Sequence, residues 1–240
     1  MAYSQINPVI GQVQQGFINS VDITQREILG TTLSAVDNFW GYGEFKYVQF
    51  APGVVIPFGS VVVWTGFGAA NGYLATVAPV TANSGRTLAV AINAVTTSTV
   101  TQYGWVQISG PAVIKAVASV AAGSSFGIDV TVPGSVNAVT AGRQVLNAAA
   151  LAPSTFAVVK TATITNGSPI ITVSDTAGWV PGLTVTGTGV SGTILALDFD
   201  NRRITLSANA TAGGNSVVTA TYTGFIVATL NRSFAQGAIT

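Results

Sequence analysis

The apolar segments of this chain are short, and Gly, Pro, Asn or Ser interrupts them at close intervals. They are rich in Val, Ile, Thr and aromatic residues, which are the types that favour strands. No window shows a sustained helical period of apolar residues. At most, residues 147–152 or residues 34–39 could form one short helical turn. The pattern therefore predicts an all-β chain.

Strand boundaries follow from the Gly, Pro, Asn and Ser residues that flank each apolar segment. The predicted strands before the last third of the chain are 44–50, 60–65, 87–94, 103–109, 113–117, 127–132 and 156–165. More strands are expected up to residue 230.

A change in amino-acid composition divides the chain. Residues 161–223 are dominated by Thr and Gly, with closely spaced turn signals such as Asn166-Gly167 and Pro181-Gly182. We predict a small inserted β-sandwich or β-barrel module over 158–223, and a main β-barrel or β-sandwich domain over 25–157 plus 224–240. Residues 1–24 are predicted to be an N-terminal arm held against another subunit; a loose polar tail is the alternative.

Charged residues are scarce. Asp, Glu, Lys and Arg make up 7% of the chain, against about 25% in ordinary soluble domains. The formal net charge is +1, and no run of basic residues could neutralise a row of phosphates. The uncharged stretch 47–85 contains too many Gly and Pro residues for a membrane-spanning helix. We therefore expect neither nucleic acid nor a membrane as a partner.

Catalytic chemistry has few candidates, because the chain contains no His and no Cys. This removes the commonest general base, the commonest metal ligand and the usual nucleophile systems. Paired carboxylates could still act as in glycosidases. The acids available are Asp22, Glu27, Asp37, Glu44, Asp129, Asp175, Asp198 and Asp200. We expect no enzyme, no catalytic residue and no cofactor.

The densest charged cluster spans residues 198–203 and contains Asp198 and Asp200 at alternate positions. Two such carboxylates could share a hard cation such as calcium. However, the glycine and the distal glutamate of a calcium loop are missing, and Arg202 and Arg203 oppose a cation. A hairpin turn with Asp-Asn at its tip explains these residues better.

Aromatic residues offer a second candidate site, a stacking platform for sugars. They are concentrated at Phe39, Trp40, Tyr42, Phe45, Tyr47 and Phe50. Packing in a core or an interface is the alternative, which we favour. A carbohydrate-binding adhesin that uses Trp64, Trp105 or Trp179 would be a related function.

Three stretches resemble the head-decoration type of structural protein from tailed bacteriophages. The first is "LGTT" at 29–32 with "GYGEFKYV" at 41–48, and the second is "VAI" at 90–92 with "QYGWVQISG" at 102–110. The third is "LNRSFAQGAIT" at 230–240. Ser233 and Val106 depart from the family pattern, which has a proline and an aromatic residue there. The resemblance covers residues 25–157 and 224–240, and the module between them is similar to β-modules repeated in phage fibres.

The resemblance implies a structural virion protein that binds the outside of the capsid. Its expected partners are the major capsid protein and further copies of itself, as a dimer or trimer. The chain has no secretory signal at its start, so we expect synthesis in the host cytoplasm and a final location on the capsid exterior. A head-fibre, tail or baseplate component, or a carbohydrate-binding adhesin module, is the alternative function.

Overall fold

The structure is a computed structural model that describes residues 4–5, 18, 20–37, 39–64, 72–96, 99–118, 120–152, 156–198 and 200–238. Every extended regular element in these residues is a strand, which confirms the all-β prediction. The chain divides into two compact units. Residues 3–154 with 224–240 form the main unit, and residues 155–223 form the barrel unit.

The main unit contains the first thirteen strands and the last one. They are β1 (Ser4–Gln5), β2 (Val21–Asp22), β3 (Thr32–Asp37), β4 (Gly41–Phe50), β5 (Val55–Ile56), β6 (Val61–Trp64), β7 (Leu74–Val77), β8 (Ala89–Ala91), β9 (Val95–Thr96), β10 (Gln102–Lys115), β11 (Phe126–Ile128), β12 (Val136–Ala138), β13 (Val145–Ala152) and β20 (Phe225–Ala235).

Most of these strands belong to one sheet that curls back on itself. Its order is β1-β3-β4-β7-β6-β8-β10-β20-β13, and β2 pairs with β10. An additional antiparallel pairing joins β10 to β4. The pairings β4–β7–β6–β8–β10–β4 therefore form a closed ring of five strands.

Two apolar cores lie on opposite faces of the strands in this ring. The first is inside the ring and includes Val48, Val62 and Val106. The second includes Val61, Val63 and Ile114 and extends under β11, β12, β13 and β20. Neighbouring residues of β6 face different cores, so this strand is apolar throughout rather than alternating.

The predicted arm over 1–24 lies largely outside the described residues. Its described parts pair with strands of the same chain: Ser4 and Gln5 with β3, and Val21 and Asp22 with β10. Ile18 is buried.

The barrel unit is a closed six-stranded barrel in the order β14-β15-β18-β17-β16-β19. Its strands are β14 (Ala157–Ile164), β15 (Ile170–Val173), β16 (Thr184–Gly187), β17 (Val190–Asp198), β18 (Arg203–Leu206) and β19 (Gly214–Thr221). Buried and exposed residues alternate strictly along β14, as expected for a strand with one face in a barrel core. Trp179 and Tyr222 are fully buried in this unit, and the Trp179 indole donates a hydrogen bond to the carbonyl of Val158.

The helical turns considered at 147–152 and 34–39 are wrong. Residues 147–152 belong to β13, which pairs with β20, and residues 34–37 belong to β3, which pairs with β4. The strands predicted at 103–109 and 113–117 are one continuous strand, β10. Gly110 pairs with Leu230 of β20, so the strand continues through the predicted break. Its φ of +90° is one that glycine adopts readily.

Candidate interaction surface

The candidate cation ligands Asp198 and Asp200 lie at the hairpin between β17 and β18. Asp198 accepts hydrogen bonds from the backbone and the side-chain amide of Asn201, at 3.1 and 2.8 Å. These bonds lower the pKa of Asp198 from its ordinary value. The predicted hairpin is thus present, and the Asp198 carboxylate serves to cap its turn. Among the described residues, no group of three or more His, Cys, Asp or Glu side chains could hold a metal ion.

Two other carboxylates have structural partners. Asp129 is buried and accepts four hydrogen bonds, from the backbone amides of Thr131 and Val132, the Thr131 hydroxyl and the Asn137 amide. Asp175 forms an ion pair with Lys160, whose side chain is buried in the barrel unit. Both carboxylates stabilise their own loops rather than face an open cleft.

Most of the aromatic side chains considered as stacking platforms are enclosed. Phe45, Tyr47 and Phe50 are buried on β4, and Trp105 and Trp179 are no more than 2% exposed. Neither Trp105 nor Trp179 offers a ring face to a sugar in this structure. Trp64 is partly exposed. The packing alternative therefore accounts for these five aromatics.

Three apolar side chains at the β3–β4 hairpin are exposed, and we call them the hairpin patch. Val36 and Tyr42 are directly paired across the two strands and are 37% and 49% exposed. Phe39 lies in the connecting turn, is 47% exposed and makes an edge contact with Trp40, with ring centroids 4.7 Å apart. Exposed aromatic residues that lie close together are typical of protein contact sites.

A ladder of polar residues continues from the hairpin patch along the same face of β3 and β4. Ser34 is paired with Glu44, and Thr32 with Lys46. The Tyr42 hydroxyl is 3.0 Å from the Ser34 hydroxyl. Glu44 also forms an ion pair with Arg232 of β20 at 3.3 Å. The patch is therefore anchored on a face whose polar groups already have partners.

The three stretches that carry the family resemblance are neighbours in space. The first includes β4, the second includes β8 and β10, and the third includes the end of β20. β10 pairs with β4, with β8 and with β20. Segments far apart in the sequence thus form one continuous part of the sheet, and Tyr42 of the hairpin patch lies in the first of them.

Sequence reasoning did not identify Val36 as part of a surface, and it did not connect Glu44 with Arg232. The period-two alternation over 32–37 and 41–46 could have identified Val36, because it places Val36 and Tyr42 on the same face. The contact between Glu44 and Arg232 joins residues 188 positions apart, and no local pattern predicts such a contact.

No helix in the described part of the chain is long and apolar enough to cross a membrane.

No model of a known protein family, no curated protein and no solved structure matches the chain.

Proposed function

We propose that this chain is a structural protein of a tailed-phage virion that binds the outer surface of the capsid and stabilises its lattice. The observation that carries the proposal is the arrangement of the three stretches that resemble head-decoration proteins. Because they assemble into adjacent strands, the resemblance belongs to one folded region and not to scattered local matches.

A decoration protein works by burying surface across the junctions between capsid subunits, and this chain is suited to that role. Few charged groups would have to leave water when such an interface forms, since charged residues are only 7% of the chain. The hairpin patch supplies large apolar side chains, and each Å² buried contributes about 25 cal/mol. Many symmetry-related copies would multiply a modest energy per copy.

Self-association is part of the proposal. β13 pairs only with β20 in the path of the main sheet, so it lies at the end of that sheet. Ala150 of this strand also exchanges backbone hydrogen bonds with Gly123 and Ser124, so a partner strand would pair with the remainder of β13. Its sequence, Val145–Ala152, contains no charged residue. Uncharged terminal strands favour pairing with another strand, and dimers or trimers would protect them.

The test is co-sedimentation of the purified chain with capsid shells that lack it. We expect the wild-type chain to saturate at a copy number set by the shell lattice. A double variant of the hairpin patch, Val36→Ser with Phe39→Ser, should bind at least about tenfold more weakly, because burial of both side chains contributes roughly 1.5–3 kcal/mol each.

The matched control replaces two valines of similar exposure elsewhere in the main unit, Val117→Ser with Val139→Ser. This variant should bind as the wild type does. Equal weakening in both variants would contradict a role for the hairpin patch. Binding of the wild-type chain to isolated tails, but not to shells, would favour the tail or baseplate alternative.

A further inference from the structure

One end of the five-stranded ring in the main unit contains a cavity of about 140 Å³. It is lined by Thr32, Lys46, Trp64, Thr87, Ile108 and Arg232. Lys46 lies two residues before Val48 on β4, and Ile108 two residues after Val106 on β10, so both continue rows that point into the ring core. The cavity is therefore the mouth of the ring. Mouths of β-barrels are common places for small ligands.

The walls of this mouth have different chemistry at different depths. Ile108 is buried and forms an apolar floor, with the half-buried Trp64 beside it. Thr32 and Thr87 are exposed residues of the lining, and the Thr32 hydroxyl lies 3.5 Å from the Lys46 ammonium. A ligand with a short apolar stem and a polar head matches this order.

Two cationic groups face the opening. The Lys46 ammonium is fixed by a hydrogen bond to the Gly30 carbonyl at 3.2 Å and lies 5.3 Å from the centre of the Tyr73 ring. The Arg232 guanidinium is 68% exposed and bonds Glu44 at 3.3 Å. Burial, and then the nearby charge of Arg232, lower the pKa of Lys46.

The charges at the mouth do not cancel. Within the described part of the chain, the ion pair made by a mouth residue is that of Arg232 with Glu44, while Lys46 contacts a carbonyl and the Thr32 hydroxyl. Two cations and one carboxylate leave one positive charge. An anionic group entering the mouth would relieve the repulsion between Lys46 and Arg232.

We propose that the mouth of this ring is a binding site for a carboxylate carried on a short apolar stem. The carboxylate would lie between Lys46 and Arg232, with the Thr32 and Thr87 hydroxyls as further donors. The stem would contact Ile108 and Trp64. Glutamate side chains and free short-chain acids share this chemistry, and the cavity has room for either. The site is independent of the proposed role on a capsid.

The test is an NMR titration of the full-length protein at pH 7 and constant ionic strength, following the indole N–H resonance of Trp64. Acetate, propionate and butyrate are the probes. We expect saturable shifts with dissociation constants on the order of millimolar. Each methylene added between acetate and butyrate should tighten binding by up to about fourfold, since it is buried against the floor.

Three variants give different expected directions. Lys46→Met should abolish saturation, while Glu44→Gln should tighten binding because it removes the competing carboxylate. Lys115→Met, at the other end of β10, should bind as the wild type does. Folding of each variant is checked from the dispersion of its amide spectrum, and Glu44→Gln tests the site even if Lys46→Met does not fold.

The source of the carboxylate is resolved by a second set of probes. A blocked peptide, acetyl-Gly-Glu-Gly-amide, should bind at least as tightly as butyrate if the natural ligand is a protein side chain. Binding of butyrate alone would support a free acid. Linear, unsaturable shifts, or an equal response to sulfate and to carboxylates, would overturn the proposal.

Discussion

At the scale of single residues, Asp129 is the clearest case of a buried charge that has a structural role. It is 2% exposed, and its four hydrogen bonds have lengths between 2.7 and 3.0 Å. Asp129→Asn places an amide where the carboxylate accepts hydrogen bonds, so one donor loses its partner. We expect the free energy of unfolding, measured with urea, to fall by about 1–3 kcal/mol. The control Asp200→Asn, at an exposed turn, should change the free energy of unfolding by less than about 0.5 kcal/mol. An equal loss in the two variants would show that the hydrogen bonds of Asp129 do not stabilise the fold.

The pH dependence of stability follows from the same carboxylates. Burial alone would raise the pKa of Asp129 and of Asp175, but the hydrogen bonds to Asp129 and the hydrogen bond and charge of Lys160 at Asp175 lower both. Such groups stabilise the fold above their ordinary pKa of 3.8, and this contribution is lost as the pH falls through the lower folded value. The chain has no His. Urea midpoints should be flat between about pH 5 and 8 and fall below about pH 4, and a slope between pH 5 and 8 would be inconsistent with this assignment.

At the scale of elements, the continuity of β10 depends on Gly110. Its φ is +90°, and a Cβ atom there would lie 2.2 Å from the backbone oxygen of Tyr42. Gly110→Ala must therefore displace the β3–β4 hairpin or break β10. We expect a loss of about 2–4 kcal/mol in the free energy of unfolding, from strain and clash together.

Gly53 provides the matched control for Gly110. It also has a positive φ, +76°, but a Cβ atom there would meet nothing within 4 Å. Gly53→Ala should therefore cost only the conformational strain, about 1 kcal/mol. If calorimetry gave the two alanine variants the same melting temperature, the close approach of Gly110 to Tyr42 would not matter for stability.

The elements also show what sequence alone can predict here. The predicted strands 44–50 and 156–165 match most of β4 and nearly all of β14. Both strands have a clear side-chain pattern and are flanked by turn residues. The same reasoning divided β10 at Gly110-Pro111, since it treats these residues as a turn when no partner strand is known. It also allowed a helical turn in the Ala-rich β13, where only pairing with β20 decides the conformation. Asn147 has a φ of +58° at the irregularity between these strands.

At the scale of the whole molecule, the barrel unit has the topology of an insertion. Its first and last strands, β14 and β19, are paired from Ala157 and Thr221 onward. β13 and β20, which flank it in the sequence, are also antiparallel neighbours, with Ala152 paired to Val227. Deletion of residues 155–223 leaves these two strands to be joined by a short hairpin loop.

We expect the deletion variant to keep the fold of the main unit and to bind capsid shells as the full chain does. Circular dichroism and a single cooperative urea transition would check the fold, and co-sedimentation would check binding. A folded variant that no longer binds would place part of the docking surface in the barrel unit, contrary to the assignment of docking to the hairpin patch.

The candidate surfaces were harder to predict than the fold, because they depend on contacts between distant segments. Trp105 and Trp179 have the sequence features of exposed platforms as well as of core residues, and only the packing of neighbouring strands decides that they are buried. The ring mouth contains Lys46 of β4 and Arg232 of β20, which are brought together because β10 pairs with both strands. No local spacing in the sequence predicts these two pairings.

We propose that the chain covers a capsid lattice. The most direct measurement is cryo-electron microscopy of the virion that contains it, combined with its copy number relative to the major capsid protein. We expect density for the main unit repeated at equivalent lattice positions over the outer shell, with a copy number in a fixed ratio to the capsid protein. A few copies confined to the tail or to one vertex would contradict it.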